Sequence, residues 1–248
     1  MDVLHKASRI RGAAIRATDG EIGTVEDFYF EEDKWAIRYL LADTGKWLSG
    51  RRVLISSMSV VGEWNMAEVP VALTKQQVWN SPEFDHNQPI SRERESQLLR
   101  HYGYPEYRDV GGVWGTHDTP AALRGAPAPP SVPAEQGRRS VELETQPLLS
   151  TKEITGYHLH ATDGEIGHVD DVLIGQETWR MRHLQVDTSN WIGGKWVIVS
   201  TEAIKGIDRV HRTLHVGLTR AQIHQSPYVE SIETMVGAGE TGPPFVLI

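Results

Sequence analysis

The 248-residue sequence predicts a mainly β protein: two small antiparallel β-barrels, each closed by a short C-terminal helix and joined by a Pro-rich linker. Three observations carry this reading. Residues 17–56 recur without a gap at 161–200, with about 18 of 40 positions identical. Within each copy, short apolar runs are separated by turn pairs such as Asp19-Gly20 and Asp163-Gly164. Each copy then closes on one helix signature, Leu-Thr-x-Gln/Ala-Gln followed by Ser-Pro.

Taken in order, Met1 to Ile10 lead into the first copy, and Leu148 to Ile154 lead into the second. A first strand is expected over Ala13–Ala17, ended by the Asp-Gly turn, and a second over Ile22–Phe30, matched by Ile166–Ile174. Four turn residues lead to a third strand starting at Trp35 and Trp179. Closing that hairpin over four residues sets Asp27 opposite Arg38, and Asp171 opposite Arg182. Such cross-strand charge pairs fix register and contribute about 0.2–1 kcal/mol. In the third strand Leu40 and Ala42 align with Leu184 and Val186, while Tyr39 and Leu41 are replaced by His183 and Gln185. Period-two alternation places Ile37, Tyr39 and Leu41 on an outward face. That face is apolar in the first copy alone, so a cover is expected: its own tail, the second barrel or another subunit.

Next comes Asp43-Thr44 followed by Trp47-Leu48-Ser49-Gly50, matched by Asp187-Thr188 and Trp191-Ile192-Gly193-Gly194. The tryptophan is read as a plug over the end of a barrel or as an aromatic offered to a partner. Short strands follow at Val53–Ile55 and Val197–Val199. Weaker ones are expected at 59–64 and 68–71, with 204–210 and 213–216 as mates. Thr74 and Thr219 are natural N-caps, with Gln77 and Gln222 placed to complete capping boxes. Gly20, Gly23, Gly164 and Gly167 complete the turn signature, and Asp43 and Asp187 the D-T element.

These readings divide the chain into barrel 1 (1–82), a helical and aromatic tail (83–115), a Pro-rich linker (116–147), barrel 2 (148–236) and a flexible C-terminal tail (237–248). The tail of barrel 1 holds a helix capped by Ser91 and the aromatics Tyr102, Tyr104, Tyr107 and Trp114.

The motif series DGEIGxVxD, WxxRxL, D-T with WLSGR or WIGGK, VLIS or VIVS, and LTxxQ…SP resembles the PRC-barrel family, over roughly 8–82 and again over 152–227. The family includes the cytoplasmic domain of the photosynthetic reaction centre H subunit and the C-terminal domain of the ribosome-maturation factor RimM. The resemblance implies a small barrel that docks on other proteins and does no catalysis. The H subunit's membrane anchor has no counterpart here, and a second barrel stands where RimM has its RNA-facing domain.

Composition narrows the function. A net charge of −8 argues against direct nucleic-acid binding, which needs clustered Lys and Arg. There is no run of 18 apolar residues, and the first twenty residues lack a secretory h-region. The absence of Cys removes disulfides and thiolate chemistry. A cytoplasmic protein without a transmembrane segment is expected, with peripheral attachment to a membrane complex compatible.

No catalytic motif is present, so no enzyme activity, metal or cofactor is expected. His158-x-His160 puts two imidazoles on one strand face, but the sequence pairs no third ligand with them. The expected function is an adaptor acting through protein–protein contacts or self-association, with barrel-to-barrel packing and homo-oligomers as its forms. The candidate surface is Ile37, Tyr39, Leu41, Trp47 and Trp191. Alternatives are a peripheral component of a photosynthetic or other membrane complex, a ribosome-maturation factor that binds a ribosomal protein, and a small-ligand or enzymatic site at a barrel mouth or in a cleft between the barrels.

Overall fold

A computed structural model describes residues 2–85, 89–107, 112–124, 147–188 and 196–225. In chain order the first part holds β1 (Leu4–Lys6), α1 (Ala7–Ile10), β2 (Ala14–Ala17), β3 (Gly20–Glu31), β4 (Ala36–Asp43), β5 (Arg52–Ser56), β6 (Glu68–Pro70), α2 (Lys75–Trp79) and α3 (Arg92–Tyr102). The second holds β7 (Leu149–Ser150), α4 (Thr151–Ile154), β8 (His158–Ala161), β9 (Gly164–Gly175), β10 (Met181–Asp187), β11 (Trp196–Ser200), β12 (Ile204–Asp208), β13 (Thr213–Val216) and α5 (Arg220–His224). The expected mainly β class is therefore observed. Among the described residues no helix is long and apolar enough to cross a membrane.

The chain forms two units, each drawing on both repeats. The first-copy unit comprises Arg9–Ser150 with Glu177–Trp179, and the second-copy unit Met1–Ser8, Thr151–Gln176 and Arg180–Ile248. In the first, the strand order is β5-β4-β3-β2-β6, and β7 adds to β3 through Tyr29↔Ser150 and Phe30↔Leu149. In the second it is β11-β10-β9-β8-β13-β12, and β1 adds to β9 through His5↔Ile174 and Lys6↔Leu173. Shifted by the repeat offset, the two added strands sit in the same register. The lead-ins thus serve as strands, a role that no alternation in their residues announced.

The antiparallel expectation holds except at one ladder per sheet. β2 pairs β6 in parallel, as β8 pairs β13. The cause is connection length: residues 57–67 carry the chain from the β5 edge to the opposite edge, where β6 enters running the same way as β2. No ladder joins β5 to β6 among the described residues; the segment after β5 instead reaches the β6 edge through Val61 N donating to Pro70 O at 3.0 Å and Ala72 N donating to Ser59 O at 2.8 Å. The strand expected over 59–64 is reduced to one bridge, Val60↔Val71, after a 3₁₀ turn at Ser57–Ser59.

The central hairpin corrects the predicted register. Asp27 lies opposite Leu41 and Asp171 opposite Gln185, not opposite Arg38 and Arg182. Bulges at Glu26 and Arg38, and at Asp170 and Arg182, add unpaired residues that a plain count cannot see. The bulge at Arg38 also reverses parity: Ile37 pairs with Phe30 on the side of Phe28 and Leu40, whereas Tyr39 pairs with Tyr29 on the other side. Trp35 and Trp179 close the hairpins at positive φ, +49° and +54°. Trp35 stacks on Phe30 at 5.5 Å, and Trp179 packs on Trp64 at 4.8 Å within the first-copy unit. Burying such large apolar rings returns about 1.5–3 kcal/mol each, enough to hold an uncommon backbone state.

The helix expectations hold. Thr74 accepts from Gln77 N at 3.2 Å while Gln77 Oε1 accepts from Thr74 N, and Thr219 with Gln222 repeats both bonds. The repeated aspartates add a cap that the turn reading missed. Asp19 accepts from Lys75 N and Asp163 from Arg220 N, both at 2.8 Å. Part of the expected linker is structured, since Pro120–Leu123 forms a 3₁₀ turn with Pro120 and Leu123 buried. The rest of it, 125–146, and the C-terminal tail lie outside the described residues.

Candidate interaction site

The predicted surface divides three ways. Ile37, Tyr39 and Leu41 are 0–2 % exposed, so none of them is an open contact surface. Ile37 faces the core because of the bulge. Beside Tyr39 on the other face, Tyr29 meets Phe84 edge-on at 5.3 Å, so the chain after α2 supplies part of the cover. Trp191 lies outside the described residues. Trp47 stands half-buried at the surface of the first-copy unit.

The corner around Trp47 is built by the repeat signature. β4 ends at Asp43, whose Oδ1 accepts from Gly45 N at 2.9 Å, and the Thr44 hydroxyl donates to Arg51 O at 2.6 Å. These bonds tighten a 3₁₀ turn, Gly45–Leu48, that seats Leu48 inward and leaves Trp47 at the rim; Ser49 caps it in the left-handed region. Arg51 then donates to Trp79 O at 3.0 Å and to Ser81 O, tying down the end of α2. Trp79 is thereby placed edge-on to Trp47 at 6.1 Å, with 51 % of its surface exposed. Lys75, one turn earlier on α2, lies over the Trp47 ring at 5.1 Å. Sequence reasoning missed Trp79, although its position after the capping box was a readable signal.

Beside this corner is a hollow of about 310 Å³ lined by residues 21–24 and 43–47. Glu21, Asp43 and Lys46 bring both charge signs to its wall. Gly23 is required at its base: a Cβ there would collide with the Asp43 carbonyl. Rigid aromatics beside mixed charge suit contact with another polypeptide, since Trp supplies large area at small entropic cost. Among the described residues no group of three or more His, Asp or Glu could hold a metal ion.

Arg38 serves a different purpose from the expected cross-strand pair. It is buried, its guanidinium bonded to Glu31, with Nε at 2.7 Å, and it donates to Val113 O at 2.8 Å. Its charge lies over Trp114 at 4.4 Å and Tyr107 at 5.1 Å. It therefore clamps the aromatic tail onto the sheet. Trp114 Nε1 in turn donates to Thr178 O at 2.7 Å. Arg182 is exposed and reaches Asp2 only at 4.0 Å. Asp27 accepts from Ser150 Oγ, and Asp171 from Ser8 N and Oγ, so the two aspartates hold the added lead-in segments. Elsewhere in the first-copy unit, burial raises the Tyr102 phenol well above its ordinary range, and Tyr102 donates to Leu54 O at 2.9 Å. In the second-copy unit, burial lowers the His183 imidazole, with Arg182 adding to the effect.

Comparison with known proteins matches residues 2–63 to the PRC-barrel domain. A search of curated proteins returns no match. The matched span covers β1 through β5 and the turn that presents Trp47, so residues 2–63 of the chain are similar to the PRC-barrel domain.

Proposed function

We propose that the chain is a non-enzymatic tandem PRC-barrel protein that binds another protein through the first-copy corner of Trp47 and Trp79. The observation that carries this is the aromatic pair itself. Arg51 donates to the backbone carbonyl of Trp79 and so fixes the end of α2 that presents this 51 %-exposed ring beside Trp47, which lowers the ordering cost of binding. The PRC-barrel match supports a protein-contact role at the level of the family. The second repeat, with its capping box and equivalent sheet, supports a tandem arrangement.

The test pairs light scattering with pull-down from native lysate, using the wild-type chain and Trp79→Ala. A protein retained by the wild type and lost by the variant, or a wild-type oligomer dissociated by it, is the expected result. Truncating a central interface Trp costs about 2 kcal/mol or more, roughly thirtyfold in affinity. A strictly monomeric chain that retains nothing at micromolar concentration overturns the reading.

A further inference from the structure

The second-copy unit carries a histidine face that the first lacks. In the parallel ladder between β8 and β13, His160 lies directly opposite His215, with Leu159 opposite Leu214. Both leucines are fully buried, so both imidazoles stand on the solvent side, and both are exposed. Their ring centroids are 6.2 Å apart. The first copy has Arg16 opposite Pro70 at this place, with Arg16 paired to Glu68 at 2.5 Å. His158, on the same face of β8, is engaged by Glu165 at 2.8 Å.

We infer that His160 and His215 form a two-imidazole site for a divalent first-row transition cation. The spacing decides this. A metal–imidazole nitrogen bond of about 2.0–2.1 Å, added to the roughly 1.1 Å from nitrogen to ring centre, lets two rings share an ion when their centres are no more than about 6.4 Å apart. The observed separation falls inside that limit, and small χ rotations on an open face bring the nitrogens to a tighter angle. Adjacent strands hold the two Cα atoms in fixed register, so little order is lost on binding. Among the described residues no group of three or more His, Asp or Glu is placed to hold an ion, which leaves water in the remaining positions; Glu165, opposite His160 on β9, is engaged by His158. Imidazole ligands favour Ni²⁺, Cu²⁺ and Zn²⁺ over Mg²⁺ and Ca²⁺, which take oxygen. The sequence displays His158-x-His160 as a close pair; the ligand that matters comes from β13, far along the chain, and is visible only in the parallel register.

The experiment titrates the full chain with NiCl₂ by calorimetry in chelator-treated buffer, with MgCl₂ as the comparison cation. His160→Ala and His215→Ala are expected each to weaken Ni²⁺ binding at least tenfold. His211→Ala, which removes an exposed imidazole paired with Asp208 at 2.8 Å, leaves it unchanged. Paramagnetic Ni²⁺ should broaden the ring-proton resonances of His160 and His215 first. Binding should weaken on acidification, because protonated imidazole cannot ligate. The positions are exposed, so the variants keep the parent circular dichroism. The proposal is overturned if the wild type shows no saturable Ni²⁺ binding, if either substitution leaves the affinity unchanged, or if Mg²⁺ binds as well.

Discussion

Arg38 and Arg182 occupy equivalent bulge positions in the two repeats, yet one is a buried clamp and the other an exposed side chain. The buried state of Arg38 comes from the segment that follows the first copy. After the first, the tail brings Tyr107, Val113 and Trp114 over the guanidinium, and Glu31 supplies the balancing carboxylate. The residue at the Glu31 position in the second copy is Gly175. Arg38 is fully buried, whereas Glu31 is partly exposed and also lies 3.8 Å from Lys34, so truncating Arg38 costs mainly the guanidinium's own hydrogen bonds and ring contacts. An exposed pair is worth about 0–1 kcal/mol. Arg38→Ala should therefore lower stability by about 2–3 kcal/mol and free the tail, seen as faster hydrogen exchange in β4 and quicker proteolysis near Trp114. Arg182→Ala should stay within about 1 kcal/mol by the same measurements. Equal losses from both would show that the aromatic clamp contributes little. None of this was legible in the WxxRxL motif, because the tail that covers Arg38 arrives far downstream, Val113 being 75 residues on, and the bulge hides the direction of the side chain.

At the scale of elements, the readable features were those whose physics is local. The two capped helices, the Asp-Gly turns and the β3–β4 hairpin needed only neighbours within a few residues. Those that failed needed distance: the bulges, the parallel β2–β6 ladder, and the edge strands contributed by the lead-ins. Gly23 and Gly167 show how a local sign can carry a nonlocal cause. Both repeat at a position of positive φ, +140° and +157°, and a Cβ on either would strike the carbonyl of Asp43 or Asp187 across the hairpin. Their conformation and their crowding act together, so Gly23→Ala and Gly167→Ala should each cost about 2 kcal/mol or more. Gly206→Ala is the matching control: it lacks both the φ constraint and any neighbour within 4 Å, and its melting temperature should stay close to that of the parent. A Gly167→Ala chain that melts with the parent would show that the hairpin relaxes around the added methyl.

For the whole molecule, the consequence is that neither repeat supplies its own unit. The first-copy unit takes Leu149–Ser150 as a strand on β3 and buries Trp179 against Trp64 and Phe28, with Ile37 N donating to Trp179 O at 2.8 Å. The second-copy unit takes β1 on β9, with Gln176 N donating to Val3 O at 2.8 Å and Ser8 held by Asp171. A cut between 125 and 146 would therefore leave two fragments, each carrying part of the other's sheet. With a protease site inserted there, the cleaved halves should co-elute on a sizing column at the mass of the intact chain. Trp179→Ala removes the largest of these exchanged groups, and large-to-small changes of a buried Trp cost about 3–5 kcal/mol. The cleaved variant should accordingly dissociate at urea concentrations the cleaved parent withstands. Separation of the parent's halves in plain buffer would mean that the exchanged strands and Trp179 are too weak to hold the fragments without the covalent link, and each repeat would then have to stand as its own folding unit.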